Sequence, residues 1–278
     1  MTAKPSIARS LLLMAALLLN AQAARADSDT CGNRAAAIVR NAYPNARPSN
    51  GNFTLDGLTI VTPAGDPDGE TAHIVCRIWP DHPELMLAAV PFVKDPTLGE
   101  SEGRLDLLVL DKPGLTIRQR LRLNTRTAGG EPGLRSVRFD SARYPLAPRQ
   151  NAVGLLVMRG RHVDPKNFSE DALWLYAFDG NQVSPVVDGL VVQADTTVMG
   201  EQCSDTSVGG KRTLAVVPSP RSGFADIVVT EKRLSRRMTK GKDGMCALRP
   251  TKSETSTHRL VYDGTRYDVP KALLRPLE

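Results

Sequence analysis

The sequence predicts an antiparallel all-β protein, either propeller-like or a large β-sandwich, with a short N-terminal helix. Apolar and polar residues alternate with a period of two along much of the 278-residue chain, which is typical of strands. The chain has 22 glycines and 20 prolines, a content that favours many turns over long helices. Asp-Gly pairs, which readily form tight hairpin turns, stand at residues 56–57, 179–180, 188–189 and 263–264.

The first predicted element is a helix over residues 29–43, where a run of alanines carries an apolar stripe. Pro44 ends this helix, and residues 47–57 form a polar, turn-rich connector. The last predicted element is a helical turn at residues 270–274. Strands are predicted at residues 72–79, 85–93, 105–110, 115–123, 136–139, 152–158, 173–178, 183–187, 190–193, 213–217, 224–230, 259–262 and 267–269.

Residues 1–26 have the pattern of a secretory signal peptide. Lys4 and Arg9 precede an apolar run at residues 10–19, and small residues before and at Ala26 provide cleavage sites. Ten helical residues span about 15 Å, half the thickness of the hydrocarbon layer, so this run is too short for a membrane anchor. We expect a mature chain of residues 27–278 that forms a single all-β domain without a transmembrane segment, in the periplasm or secreted.

The charge balance argues against a nucleic-acid partner. The chain has 36 basic and 30 acidic residues, but three of the basic residues belong to the predicted signal peptide. The mature chain therefore keeps 33 basic and 30 acidic residues, a small excess for a nucleic-acid binder. Aromatic residues make up only 5% of the chain, which leaves few rings for stacking on bases.

The four cysteines are predicted to form two structural disulfides. Their number is even, and the export pattern implies an oxidising compartment. Pairing of sequence neighbours, Cys31 with Cys76 and Cys203 with Cys246, is favoured among the three possible connectivities. No CxxC spacing occurs, so the sequence does not favour a thioredoxin-like redox site or a zinc knuckle.

A weak internal repeat is visible. Residues 103–110 and 223–230 both read Gly-x-x-Asp followed by an apolar strand, and residues 173–180 and 258–264 are both apolar strands closed by Asp-Gly. These pieces resemble degenerate FG-GAP or VCBS-type β-propeller repeats, over about a quarter of the mature chain. The Asp-rich calcium loop of that family has no counterpart before Phe224, so calcium binding does not carry over.

The sequence contains no convincing catalytic or metal motif. Residues 99–103 match G-x-S-x-G, but a strand rather than a helix follows, and two glutamates would oppose an oxyanion. Residues 66–69 resemble an acidic calcium loop but lack a third oxygen ligand and a distal glutamate. The four histidines show no metal-ligand spacing. We therefore predict no catalytic residues, no metal site and no cofactor.

The most informative surface feature is segment 232–242, in which six of eleven residues are basic. Gly241 and the following Asp-Gly pair favour a loop inside the second predicted disulfide ring. Such a loop would attract an acidic protein face or an anionic envelope polymer, whereas the alternative is a solvated strand edge protected by its charges. The predicted binding residues are Lys232, Arg233, Arg236, Arg237 and Lys240.

Two further segments bear on this site. In the predicted strand 115–123 one face carries Arg118, Arg120 and Arg122, which extend the basic patch only if this strand neighbours segment 232–242. Segment 136–148 reads as a strand followed by a turn limited by proline. In that turn Arg143 is placed to pair with Asp140.

These observations favour an exported, monomeric, non-catalytic binding protein of the periplasm whose partner is another protein. It would serve as an envelope accessory factor, or as an inhibitor or immunity-type protein. The alternative is a cell-envelope hydrolase with a dispersed acid/base pair, which a deep pocket with perturbed pKa values would favour. A third reading is a structural domain whose basic segment contacts anionic envelope polymer.

Overall fold

The structure is a computed structural model that describes residues 31–65, 71–98, 102–123, 133–221 and 223–274. The predicted signal peptide lies outside these residues. Within the described ranges, no helix combines the length and the apolar character needed to cross a membrane.

The first sheet has seven antiparallel strands in the order β1-β2-β3-β5-β6-β7, with β4 also paired to β5. Both β3 and β4 pair with the long strand β5, at opposite ends of it. The strands are β1 (Arg47–Ser49), β2 (Asn52–Leu55), β3 (Leu58–Ile60), β4 (Val75–Trp79), β5 (His82–Val93), β6 (Gly103–Asp111) and β7 (Thr116–Leu123).

The second sheet has eight antiparallel strands in the order β15-β14-β13-β12-β11-β10-β8, with β9 also paired to β10. From β10 to β15 each strand pairs with the next one along the chain, whereas β8 and β9 both pair with β10. The strands are β8 (Gly133–Phe139), β9 (Tyr144–Ala147), β10 (Gln150–Val163), β11 (Lys166–Phe178), β12 (Val183–Val198), β13 (Thr206–Val217), β14 (Asp226–Lys240) and β15 (Cys246–Leu260).

The two sheets pack face to face around a shared apolar core. Leu87 and Leu107 of the first sheet belong to the same buried cluster as Leu155 and Trp174 of the second. This arrangement confirms the all-β prediction and corresponds to its sandwich alternative. The resemblance to propeller repeats stays a prediction.

The predicted helix is present and covers the outer face of the first sheet. A 3₁₀ turn (Gly32–Arg34) leads into α1 (Ala35–Ala42), which ends before Pro44. Ile38 and Val39 of α1 are fully buried in a second apolar cluster with side chains of β5 and β6. A third cluster lies on the second sheet and includes Leu273 of the C-terminal 3₁₀ turn (Lys271–Leu274), which confirms the predicted helical turn.

Three of the four predicted Asp-Gly turns are confirmed. The pair at 56–57 closes the β2–β3 hairpin, and the pair at 179–180 closes the β11–β12 hairpin. The pair at 263–264 lies in a turn between Tyr262 and Tyr267. In each pair the glycine has a positive φ, which a residue with a Cβ rarely adopts.

The fourth Asp-Gly prediction was wrong, because residues 188–189 lie inside the continuous strand β12 and form no hairpin. The pairing of β11 with β12 shifts register here, as in a β-bulge. Asp188 accepts a hydrogen bond of 2.6 Å from the indole of Trp174. A Cβ on Gly189 would lie 3.3 Å from the same ring, so the pair accommodates a buried tryptophan rather than reversing the chain.

Other differences concern weakly patterned segments. The predicted connector at 47–57 instead contains the exposed strand β1 and the short strand β2, in which Phe53 is buried. Strand β9 lies where only a turn was predicted, and the predicted strand at 267–269 is reduced to an isolated bridge at Tyr267.

Both predicted disulfides are confirmed. Cys31 is joined to Cys76, which ties the start of the helical segment to β4, and both residues are buried. Cys203 is joined to Cys246, which ties the β12–β13 connection to the first residue of β15. Two structural disulfides indicate an extracytoplasmic location, because reducing compartments rarely preserve them.

The strands of the second sheet extend well beyond the apolar core. No residue from the described stretches 159–171, 193–212 and 230–259 belongs to any of the three apolar clusters. The hairpin ends at residues 163–166, 198–206 and 240–246 lie at one end of the sheet, as the strand register requires. We call these three stretches the arm, and the sandwich with α1 the base.

Candidate functional site

The predicted basic loop is not a loop. The five predicted binding residues all lie in strand β14, which pairs with β13 on one side and β15 on the other. The turn comes only afterwards, at residues 241–245. The edge alternative was also wrong for this segment, because β15 is the outer strand of the sheet.

Strand geometry divides the predicted residues between two faces of the arm. Side chains alternate along a strand, so Lys232, Arg236 and Lys240 share one face, whereas Arg233 and Arg237 share the other. The register with β13 continues without a shift through this region, so the division holds across both strands. We call the face of Lys232 the cleft face, because its partner Lys211 lines a cleft between β12 and β13, and we call the face of Arg233 the opposite face.

Both faces carry like charges directly opposite one another. On the cleft face Lys232 of β14 stands opposite Lys211 of β13. On the opposite face Arg237 of β14 stands opposite Arg249 of β15. Like charges at directly opposed positions destabilise a sheet, so each pair is a position that an anion would stabilise.

The arm concentrates the positive charge of the whole molecule. Its stretches 206–212 and 231–254 hold ten Lys and Arg against three Asp and Glu, whereas the rest of the chain holds 26 against 27. Such one-sided charge produces a potential that attracts acidic partners. Sequence reasoning located the β14 part but missed Lys211 and Arg249, because only the strand register brings them next to it.

Internal ion pairs neutralise the opposite face more than the cleft face. On the opposite face the ammonium of Lys252 lies 2.7 Å from the carboxylate of Glu254. The hydrogen bond from Lys252 lowers the pKa of Glu254, and the charge of Arg233 adds a smaller effect in the same direction. On the cleft face the nearby acid is Asp195. Burial raises the pKa of this carboxyl, and the positive charge of Arg236 offsets part of that increase. Within the described residues no ion pair forms at Lys211, Lys232, Arg237, Lys240 or Arg249.

The arginine row of β7 does not extend this patch, because β7 belongs to the other sheet. Arg118 lies 2.6 Å from Asp111, and Arg120 lies over the ring of Tyr43 and donates to the carbonyl of Ala42. Arg122 lies 3.5 Å from the fully buried Asp106, which also accepts a hydrogen bond from Tyr43. Arg120 directly, and Arg122 through Asp106 and Tyr43, therefore hold the C-terminal end of α1 on the first sheet, whereas Arg118 pairs within the sheet.

A cleft lies where β12 and β13 separate. These strands pair only between residues 193–198 and 206–211, and below that point β13 continues beside β14 alone. The cleft has a volume of about 640 Å³. It is lined by Arg138, Asp140, Ala142, Arg143, Tyr144, Pro145, Leu156, Asp171, Leu173, Val192, Gln193, Lys211, Arg212, Thr213, Leu214 and Val216.

The segment 136–148 supplies one wall of this cleft. The structure does not form the predicted pair between Arg143 and Asp140. Instead Asp140 accepts a hydrogen bond of 2.6 Å from the hydroxyl of Tyr144 and one of 3.1 Å from the amide of Ala142. Burial and Asp140 raise the pKa of Tyr144, so this tyrosine stays protonated as a donor rather than serving as a base.

Two other charged residues that line the cleft, Asp171 and Arg212, have partners within the protein. Asp171 lies 3.3 Å from Arg138. Arg212 is buried, lies 2.7 Å from Glu231 and donates to three backbone carbonyls, of Val191, Ala272 and Leu273. These contacts make Arg212 a structural link between β13, β14 and the C-terminal turn.

The weak chemical motifs fall partly beyond the structure. Residues 66–69 and the serine of the G-x-S-x-G match lie outside the described residues. Among the described residues, no group of three or more His, Cys, Asp or Glu side chains is arranged to hold a metal ion.

No protein-family model, curated protein or solved structure matches this chain.

Proposed function

We propose that this protein is an exported, non-catalytic binding protein of the periplasm that engages an acidic face of another protein through the cleft face of its arm. The observation that supports this most is the segregation of charge. Within the arm, stretches 206–212 and 231–254 hold ten basic and three acidic residues, whereas the rest of the chain is nearly neutral, with 26 basic and 27 acidic residues. Charge held on one projecting element steers an acidic partner toward that element.

The cleft face is the better candidate of the two faces. Lys211 and Lys232 oppose each other there, and among described residues neither forms an ion pair. Arg236 and Lys240 continue the same row toward the tip. On the opposite face Glu254 already offsets Lys252 and Arg233. An acidic partner therefore relieves more repulsion on the cleft face.

Two independent features support a periplasmic location. The two disulfides indicate an oxidising compartment, and the N-terminal pattern is typical of an exported chain. The periplasm meets both conditions. The hydrolase alternative would need a free acid or base in the cleft. The two acids that line it are each engaged, Asp140 by the hydroxyl of Tyr144 and Asp171 by the guanidinium of Arg138, which favours the binding function.

The test compares three immobilised variants of the mature chain, each lacking three positive charges. The first, Lys232→Ser/Arg236→Ser/Lys240→Ser, alters the cleft face, and the second, Arg233→Ser/Arg237→Ser/Arg249→Ser, alters the opposite face. The matched control, Arg47→Ser/Lys112→Ser/Arg266→Ser, removes exposed charges from the base. Each is exposed to periplasmic extract of the source organism, and captured proteins are quantified by mass spectrometry.

We expect one stoichiometric acidic protein that the wild type, the opposite-face variant and the base control retain, and that the cleft-face variant loses at least tenfold. Raising the salt concentration should weaken capture, because dissolved ions screen the attraction between the basic arm and an acidic partner, over a Debye length of about 8 Å at 0.15 M. Equal retention by all variants, or equal loss in the base control, would remove the arm as the binding site.

A further inference from the structure

The cleft between β12 and β13 has features that the proposed role of the arm does not use. Its floor is apolar, formed by the buried Leu156 of β10 and Leu173 of β11. Val192, Leu214 and Val216, which are half-buried, line the same space from the two separating strands. A volume of about 640 Å³ lies within the usual range for small-molecule sites.

The charged groups around this apolar floor are asymmetric. The two acids are engaged, Asp140 by Tyr144 and Asp171 by Arg138. Arg212 is satisfied by Glu231 and backbone carbonyls. Arg143 and Lys211 are exposed, and neither forms an ion pair with a described residue. The cleft therefore offers two available cations beside an apolar floor and no available anion among its described lining residues.

Backbone architecture keeps this cleft open. Val192 is the extra residue at a register shift of β12, directly before the point where pairing with β13 begins. Arg212 donates to the carbonyl of Val191 and to those of Ala272 and Leu273 in the C-terminal turn. The separation of the two strands is thus held by a buried arginine rather than by a flexible loop.

We propose that this cleft binds an anionic amphiphile, a molecule with one carboxylate or phosphate group on a single short apolar chain. The apolar chain lies on Leu156 and Leu173, and the head group contacts Arg143 and Lys211. An anion without an apolar chain gains only the two exposed cations, which water screens. A cationic amphiphile gains the floor but meets two positive charges.

The test is isothermal titration of the mature chain with four probes below their micelle concentrations. Decanoate and decyl phosphate carry both features, acetate carries only the head group, and decyltrimethylammonium carries the same chain with the opposite charge. The variant Arg143→Ser/Lys211→Ser removes the head-group contacts. The variant Val216→Trp fills the apolar space, and its thermal unfolding is recorded to show that it folds. Arg47→Ser/Lys112→Ser is the charge-matched control.

We expect one molecule of decanoate or decyl phosphate to bind per chain, with at least tenfold weaker binding of acetate and decyltrimethylammonium. Both cleft variants should weaken decanoate binding at least tenfold, and the control should change it less than twofold. The site is disproved if decanoate does not bind the wild type, if acetate binds equally well, or if a folded Val216→Trp variant binds like the wild type.

The arm and the cleft can fail separately. The cleft-face variant Lys232→Ser/Arg236→Ser/Lys240→Ser leaves both proposed head-group contacts in place, so it should bind decanoate within twofold of the wild type. If this variant loses decanoate instead, the amphiphile binds the basic row of β14 and the cleft proposal is wrong. Loss of protein capture with normal decanoate binding supports both proposals.

Discussion

The base and the arm share the same strands but are stabilised by different physical effects. In the base both sheets contribute fully buried side chains to continuous apolar clusters, as Leu107 and Leu155 do. In the arm the same strands carry mostly polar and charged side chains on both faces, and none of them joins an apolar cluster. The base therefore supplies hydrophobic stability, and the arm depends on strand hydrogen bonds, one disulfide and the buried ion pairs Arg159–Glu170 and Arg212–Glu231.

This contrast explains why charge can accumulate in the arm. A base residue such as Leu107 cannot become charged without a large desolvation penalty. Arm residues such as Lys232 and Arg237 remain in contact with solvent, so their side chains are constrained little by packing. The surface of the arm is thus less constrained by packing than that of the base.

The largest expected effect is alkaline unfolding of the base. All five tyrosines lie outside the arm, and burial is the main cause that raises the pKa of each: Tyr43, Tyr144, Tyr176, Tyr262 and Tyr267. Because the folded pKa exceeds the unfolded value of about 10, this stabilisation is complete below pH 10 and is lost as the pH rises above it. Above pH 10, each tyrosine that stays protonated in the folded state lowers the free energy of unfolding by about 1.4 kcal/mol per pH unit.

Absorbance of the phenolate, followed together with circular dichroism, checks this prediction. Ionisation of the tyrosines should coincide with loss of the β-sheet signal. Ionisation near pH 10 without unfolding would mean that the tyrosines are solvated and that the base is less tightly packed than described.

The two disulfides provide the second comparison. They close similar loops, with sequence separations of 45 and 43 residues, for which the chain-entropy model gives about 4 kcal/mol each. Cys31 and Cys76 are also buried against the apolar cluster under α1, whereas Cys246 is exposed in the arm. Cys31→Ser/Cys76→Ser should therefore lower the free energy of unfolding more than Cys203→Ser/Cys246→Ser.

Chemical denaturation of both double variants measures this difference. If the two variants lose equal stability, the disulfides act only through the unfolded chain, and the base and arm unfold as one unit.

The third comparison uses one substitution in each region. Leu107→Ala in the base removes a fully buried side chain and should cost about 2–5 kcal/mol. Leu248→Ala in the arm alters a side chain that is 40% exposed and should cost less than about 0.5 kcal/mol. Urea unfolding followed by the fluorescence of Trp79 and Trp174, which both lie in the base, reports the two values. A large loss for Leu248→Ala would show that the arm contributes to the stability of the base.

Both Gly-x-x-Asp motifs of the internal repeat place a buried aspartate that pairs with an arginine. The Gly-x-x-Asp motifs at 103–106 and 223–226 each place a buried aspartate near the start of a strand. Asp106 contacts Tyr43 and Arg122, and Asp226 lies 2.6 Å from Arg259, which lowers its pKa. The sequence reveals the repeated pattern, but the partners come from distant residues that no local pattern identifies.

Properties that depend on neighbouring residues were readable from the sequence alone. The period of two predicted strands such as β6 and β7, the Asp-Gly pairs predicted three turns, and the even number of cysteines, paired as sequence neighbours, predicted both disulfides. The strands and turns follow from backbone preferences of residues near one another in the chain. The disulfides join residues 45 and 43 positions apart, and their pairing was predicted from the number and order of the cysteines.

Tertiary structure alone decided which strands became neighbours and how far they paired. Segment 232–242 is basic in the sequence, but the β13–β14 register places Lys232 beside Lys211 and sends Arg233 to the other face. The cleft exists because β12 and β13 separate below Gln193, with Arg212 bridging the gap. Such features depend on contacts between distant segments, whose geometry is set by packing of the whole sheet rather than by any local period.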